Sequence, residues 1–219
     1  MHGAPLPDTA PRSPELTEEK TLPGLQAFRK RLGRYVTAPV VALIARTPIT
    51  PNALTVFSLL VTLVAGALIA AHQLVIAGLV VMFASVFDIL DGALARATNR
   101  VTKFGGALDS TLDRMAEGVI FLALMWFFSD KGSTVGAVLA GIAMITSFLV
   151  SYVRARAEGL GLECEVGILT RSERIVLLVL GLLLSGFGFI LPAVLIIIIF
   201  FSSITVGQRL FVVWQKTRG

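Results

Sequence analysis

Polar and apolar positions along this chain are sorted into blocks too long for a soluble domain. From Thr47 to Phe87 there is no Asp, Glu, Lys or Arg; a second uncharged stretch covers Ser133 to Val153, and a third runs for 34 residues from Ile175 to Gln208. A helix rises about 1.5 Å per residue, so roughly 20 apolar residues cross a hydrocarbon layer about 30 Å thick. The third stretch is long enough for two short crossings, with Ser185-Gly186-Phe187-Gly188 as the turn between them. The pattern predicts helices over 52–71, 74–96, 107–129, 134–156, 171–186 and 189–212. Ahead of them, Leu25–Ala45 interleaves Phe28, Leu32, Tyr35, Val36 and Val40 with Arg29, Lys30, Arg31 and Arg34, the pattern of an amphipathic helix lying in the membrane interface. The expected class is therefore an all-α integral membrane protein, with six transmembrane helices preceded by an amphipathic interfacial helix. Its expected parts are an N-terminal tail over 1–21, the juxtamembrane helix over 22–46 and a six-helix domain over 47–219. The tail holds four of the nine prolines and four acidic residues, a composition that predicts disorder.

Composition agrees with that reading. Hydrophobic residues make up 55% of the 219 and charged residues 15%, and the mean hydropathy is +0.84. The charges also orient the spans. Of nineteen Lys and Arg, eighteen fall before the first span, in or beside the 2–3 and 4–5 connections, or toward the C-terminus; Lys131 alone falls in the connections on the other side. By the positive-inside rule both termini face the cytoplasm, in a multi-pass protein of the cell membrane. The same bias accounts for the net charge of +5, so no nucleic-acid partner is implied. A lone cysteine, Cys164, excludes an intrachain disulfide framework.

Four carboxylates interrupt the apolar pattern at one level. Asp88 and Asp91 close the second predicted span with i,i+3 spacing; Asp109 and Asp113 open the third with i,i+4 spacing. Each pair shares a helix face, and the short connection makes the two helices antiparallel neighbours. Carboxylates in a membrane need partners. An all-oxygen set selects a hard divalent cation, Mg²⁺ or Mn²⁺. Both pairs sit at the cytoplasmic rim, whereas a cation transporter, the competing class, places its ion site near the bilayer midplane. Gly92, Ala95 and Gly105-Gly106 leave room for a ligand close to the backbone.

Taken as one string, residues 88–113, DILDGALARATNRVTKFGGALDSTLD, resemble the signature of CDP-alcohol phosphotransferases, D-x2-D-G-x2-A-R-x8-G-x3-D-x3-D. Asp88, Asp91, Gly92, Ala95, Arg96, Gly105, Asp109 and Asp113 fill every fixed position. The resemblance implies that Asp88, Asp91, Asp109 and Asp113 hold two divalent ions on a diphosphate. It makes Asp113 the catalytic base on the acceptor hydroxyl. Gly92, Ala95, Arg96 and Thr102 would contact the CDP-lipid, CDP-diacylglycerol. A Pro-Asn-x-x-Thr element, Pro51 to Thr55, adds Asn52 and Thr55 to that set; on a structural reading Asn52 caps the first helix. The family also implies a homodimer.

The acceptor is read from arginines. Arg154 and Arg156 end the fourth span, Arg171 and Arg174 open the fifth, and Arg209 lies late in the sixth. Arginine suits bidentate phosphate binding, so these five are candidates for the phosphate of a phosphorylated polyol. RARAE at 154–158 and TRSER at 170–174 resemble elements of the branch that makes phosphatidylinositol phosphate, departing from it at Arg154, Thr170 and Ser172. That resemblance implies inositol 1-phosphate as acceptor; glycerol 3-phosphate is the alternative.

Overall fold

The computed structural model describes residues 39–218, which contain no β-strand. The expected tail and residues 22–38 of the expected amphipathic helix lie outside the described residues; of the rest, 39–44 are helical. Six helices follow: α1 (Pro51–Ala70), α2 (Leu74–Ala97), α3 (Lys103–Asp130), α4 (Thr134–Gly159), α5 (Arg171–Leu183) and α6 (Ile190–Thr217).

The helix starts are written locally. Thr50 caps α1, its hydroxyl accepting from the Ala53 N–H at 3.3 Å, and Pro51 follows at the first helical position, where no donor is missed. The cap is thus Thr50, not Asn52: Asn52 already lies inside the first turn. Helix α3 begins four residues earlier than the apolar pattern predicts, because the Thr102 hydroxyl accepts from the Gly105 N–H at 2.9 Å and starts the helix at Lys103. Helix α5 opens on a capping box, the Glu173 carboxylate accepting from the Thr170 N–H at 3.0 Å. It ends at Leu183, three residues short of the expected limit, and turns through 184–189 into α6.

The helices pack in a closed ring: α1 lies against α2 and α3, α3 against α4, α4 against α6, α6 against α5, and α5 against α2. Each contributes apolar side chains to one interior, including Ile69, Val81, Phe121, Ala143, Leu182 and Ile198. The outside is apolar too, with Leu60, Phe83, Trp126, Ile145 and Phe200 exposed. Helices apolar on all sides are matched to a lipid surround. By length and composition α1, α2, α4 and α6 can each cross a membrane. Helix α3 is long enough at 28 residues but carries six charged ones, and α5 has only 13 residues.

Candidate active site

The connection between α2 and α3 sets the geometry of the aspartates. Asn99 takes the left-handed conformation (φ 53°) that ends α2, and Thr102 caps α3 three residues later. The two helices are not the packed neighbours that their short connection suggested: each packs on α1, and across the space between them Asp88 and Asp91 face Asp109. Helix α3 then approaches the first turn of α1. A Cβ at Gly105 would stand 3.0 Å from the Thr102 hydroxyl and 3.3 Å from the Asn52 side-chain oxygen, so glycine permits that approach.

Asp88, Asp91 and Asp109 each bring a carboxylate oxygen within 4.8 Å of the other two. Asp91 is buried and accepts a hydrogen bond from the Thr55 hydroxyl at 2.6 Å; Asp88 and Asp109 are half-buried. Three carboxylates this close repel one another, and their hard oxygen donors fit a divalent cation. Asp113 stands outside that trio. Its Oδ2 lies 2.6 Å from Nη1 of Arg171, the same nitrogen that donates to Asp88 Oδ2 at 2.9 Å.

Two cavities flank this cluster and share Asp109. The first, about 660 Å³ of open space, is lined by Asn52, Thr55, Asp91, Gly92, Ala95, Arg96, Thr102 and Gly106 among others. All six residues expected to bind the CDP-lipid therefore line this one cavity. The second, about 1150 Å³, is lined by Asp109, Asp113, Arg114, Arg154, Arg171, Arg174 and Arg209.

The five expected acceptor arginines divide by environment. Arg154 and Arg171 line the second cavity with solvent access; Arg154 pairs with Glu158 at 2.8 Å on the surface. Arg174 is fully buried (0% exposed) and forks onto Glu117, also at 0%, with Nε to Oε1 at 2.7 Å and Nη2 to Oε2 at 3.0 Å. Arg209, 3% exposed, donates to the carbonyls of Val150 at 2.5 Å and Val166 at 2.8 Å, tying α4 and the 160–170 connection to α6. Gly167 in that connection has φ 148°, and a Cβ there would fall 2.6 Å from Thr205 Cγ2. Arg174 and Arg209 are thus wall residues whose guanidiniums are already engaged. Arg156 is exposed and does not line the cavity.

Sequence reasoning passed over two residues here, Arg114 and Glu117. The signal for Glu117 was present: it continues the i,i+4 row of Asp109 and Asp113 one turn deeper into the apolar part of α3, where an unpaired carboxylate is costly.

Residues 48–216 match the family described as CDP-alcohol phosphatidyltransferase. The chain belongs to the CDP-alcohol phosphatidyltransferase family. It is an enzyme of phospholipid biosynthesis, embedded in membrane and built around carboxylates suited to divalent metal. Among relatives of this phosphatidyltransferase, the phosphatidylinositol phosphate synthase of Mycobacteroides abscessus is 38% identical over 183 residues, covering 81% of this chain and 83% of that one. The archaetidylinositol phosphate synthase of Methanothermobacter thermautotrophicus is 35% identical over 197 residues, covering 89% and 96%. The crystal structure of Mycobacterium tuberculosis phosphatidylinositol phosphate synthase with CDP-DAG bound superposes with a TM-score of 0.76 at 32% identity, covering 82% of this chain and 94% of that one. A second structure of the same protein, in complex with manganese and citrate, superposes with a TM-score of 0.74. Membership of a transferase family replaces the cation-transporter reading.

Proposed function

We propose that this phosphatidyltransferase transfers the phosphatidyl group of CDP-diacylglycerol to inositol 1-phosphate, releasing CMP and forming phosphatidylinositol phosphate. The observation that carries this reading is the pair of cavities meeting at Asp109. One is lined by small residues and Arg96, the other by Asp113 with Arg114, Arg154 and Arg171. A nucleotide donor and an anionic acceptor can thus approach the same carboxylates from two sides. The names of the mycobacterial and archaeal relatives support the acceptor.

The chemistry follows from that placement. Asn52, Thr55, Gly92, Ala95, Arg96 and Thr102 surround the CDP moiety, and Gly92 and Gly106 leave the diphosphate room beside Asp91 and Asp109. Asp88, Asp91 and Asp109 would hold the divalent ions, Mg²⁺ or Mn²⁺ and two in number, with Asp113 as a further ligand. When bound, such ions neutralise the diphosphate and the charge that develops on the leaving CMP. Arg154 and Arg171 hold the acceptor's phosphate, with Arg114 beside them, which leaves its hydroxyl next to Asp113. Asp113 accepts the hydroxyl proton as the oxygen bonds to the phosphatidyl phosphorus. The bond from that phosphorus to the bridging oxygen of the diphosphate breaks, and CMP departs with the electron pair.

The proposal includes a topology. Helices α3 and α5 complete six crossings, with residues 47–219 as the catalytic domain and the site at the cytoplasmic rim. This is supported by the ring packing, which takes in all of α1 to α6, and by the eighteen-to-one split of Lys and Arg.

A CMP-release assay tests the acceptor. Purified protein with CDP-diacylglycerol and Mg²⁺ or Mn²⁺ is given inositol 1-phosphate, glycerol 3-phosphate, serine or free inositol. The reading expects the greatest rate with inositol 1-phosphate; a greatest rate with serine or free inositol would show that the arginines do not select phosphate.

A further inference from the structure

We propose that Arg171 is a positioning residue that couples the aspartate cluster to acceptor phosphate, making the binding of divalent metal and of phosphate mutually reinforcing. Among the described residues Arg171 is the one side-chain cation within ion-pairing distance of any of the four aspartates, and it reaches two of them, Asp88 and Asp113, through one nitrogen. The two are not equivalent. Asp88 belongs to the trio fit for metal, whereas Asp113 stands outside it. Arg171 therefore bridges a metal ligand and the proton acceptor, occupying charge that a cation at the cluster would otherwise use.

The same side chain lines the acceptor cavity. Its guanidinium is under-used: both carboxylates take Nη1, and the buried Nε has no hydrogen-bond partner among the described residues. Arginine has five donors in a planar fork suited to phosphate. A phosphate in the cavity would draw the guanidinium from the carboxylates, and a divalent cation on Asp88 would repel it in the same direction. Two ligands that favour one displacement strengthen each other's binding, and the coupling is reciprocal. Asp113 is then freed when both substrate and metal are in place.

This inference rests on the reading of the second cavity as a phosphate site, and the experiment separates the two. Mn²⁺ binding to the purified full-length protein is followed by the electron paramagnetic resonance signal of free Mn²⁺, without CDP-lipid and against a protein-free blank. Wild type and Arg171→Gln are each titrated alone and with saturating inositol 1-phosphate. Wild type is expected to bind Mn²⁺ about fivefold or more tightly when the phosphate is present, the ordinary scale of such coupling. Arg171→Gln is expected to bind Mn²⁺ at least about fivefold more tightly than wild type without phosphate, since a competing cation beside two carboxylates is gone, and to gain little when phosphate is added. A merely structural role would weaken Mn²⁺ binding in the variant. That outcome, unchanged binding, or coupling as large in the variant as in wild type would overturn the proposal. If Arg171→Gln does not fold, Arg171→Lys decides: retained full coupling contradicts a role for the guanidinium fork. The arms with Mn²⁺ alone contain no acceptor, so they succeed or fail independently of the CMP-release ranking.

Discussion

Replacing Glu117 with Gln would test the wall of the acceptor cavity. The carboxylate and the Arg174 guanidinium are both wholly shielded from solvent and joined by two short hydrogen bonds, 2.7 and 3.0 Å. Beyond that fork, among the described residues, Arg174 reaches the Leu169 carbonyl alone, at 3.4 Å. Glutamine keeps the volume but removes the charge, leaving a cation buried among apolar helices with one neutral acceptor in place of a carboxylate. Breaking a buried pair this way costs about 3–5 kcal/mol, a fall in melting temperature on the order of 10 °C for a chain of this size. The reverse comparison is as informative. Removing both charges in Glu117→Leu with Arg174→Met spares the desolvation of two ions and should recover most of the lost stability. Thermal unfolding of the detergent-purified variants, read by loss of the monodisperse fraction, provides the measurement. A Glu117→Gln protein melting within about 2 °C of wild type would refute the reasoning. So would a double variant no more stable than the single one.

Thr55→Val removes the hydroxyl that orients Asp91; Mn²⁺ affinity should fall about tenfold, the usual effect of losing a hydrogen bond behind a metal ligand, in a titration without substrate. Gly106→Val places a side chain where nothing lies within 4 Å of the new Cβ but where the first cavity opens. The variant should fold normally and raise the KM for CDP-diacylglycerol about tenfold, ~1.4 kcal/mol, with little change in kcat. Gly167→Ala forces a side chain onto φ 148° and against Thr205; the melting temperature should fall by several degrees, for about 1–3 kcal/mol. Asp113→Asn should lower transfer by about 10²–10⁴-fold in the CMP-release assay while CDP-diacylglycerol still binds.

The helices and the aspartate cluster were legible because both rest on local periodicity. Uncharged runs near 20 residues mark helices whatever their neighbours, and i,i+3 and i,i+4 spacings put carboxylates on one face before any tertiary contact is known. What escaped was set by single hydroxyls or by contacts between distant helices. The Thr102 cap moved the start of α3 into a polar segment where hydropathy is silent. Arg174 meets Glu117 across 57 residues of sequence, and Arg171 meets Asp88 across 83, distances that periodicity does not span. The five arginines looked alike in sequence because composition records charge and not direction. Arg154 and Arg156 are two apart on a helix, so they cannot share a face, and only the first lines the cavity. Arg114, beside Asp113 on α3, was overlooked because it directly follows the aspartate signature and is not in an arginine-rich segment.

The central claim, that two cavities deliver a CDP-lipid and a phosphorylated polyol to one set of carboxylates, is tested most directly by following the acceptor's own phosphate. Protein, unlabelled CDP-diacylglycerol and Mn²⁺ are incubated with inositol 1-[³²P]phosphate, and the mixture is partitioned between organic and aqueous phases. The account predicts label in the lipid phase in one-to-one ratio with CMP released. CMP released while the label stays aqueous, with water as the acceptor, would contradict it, as would no CMP at all.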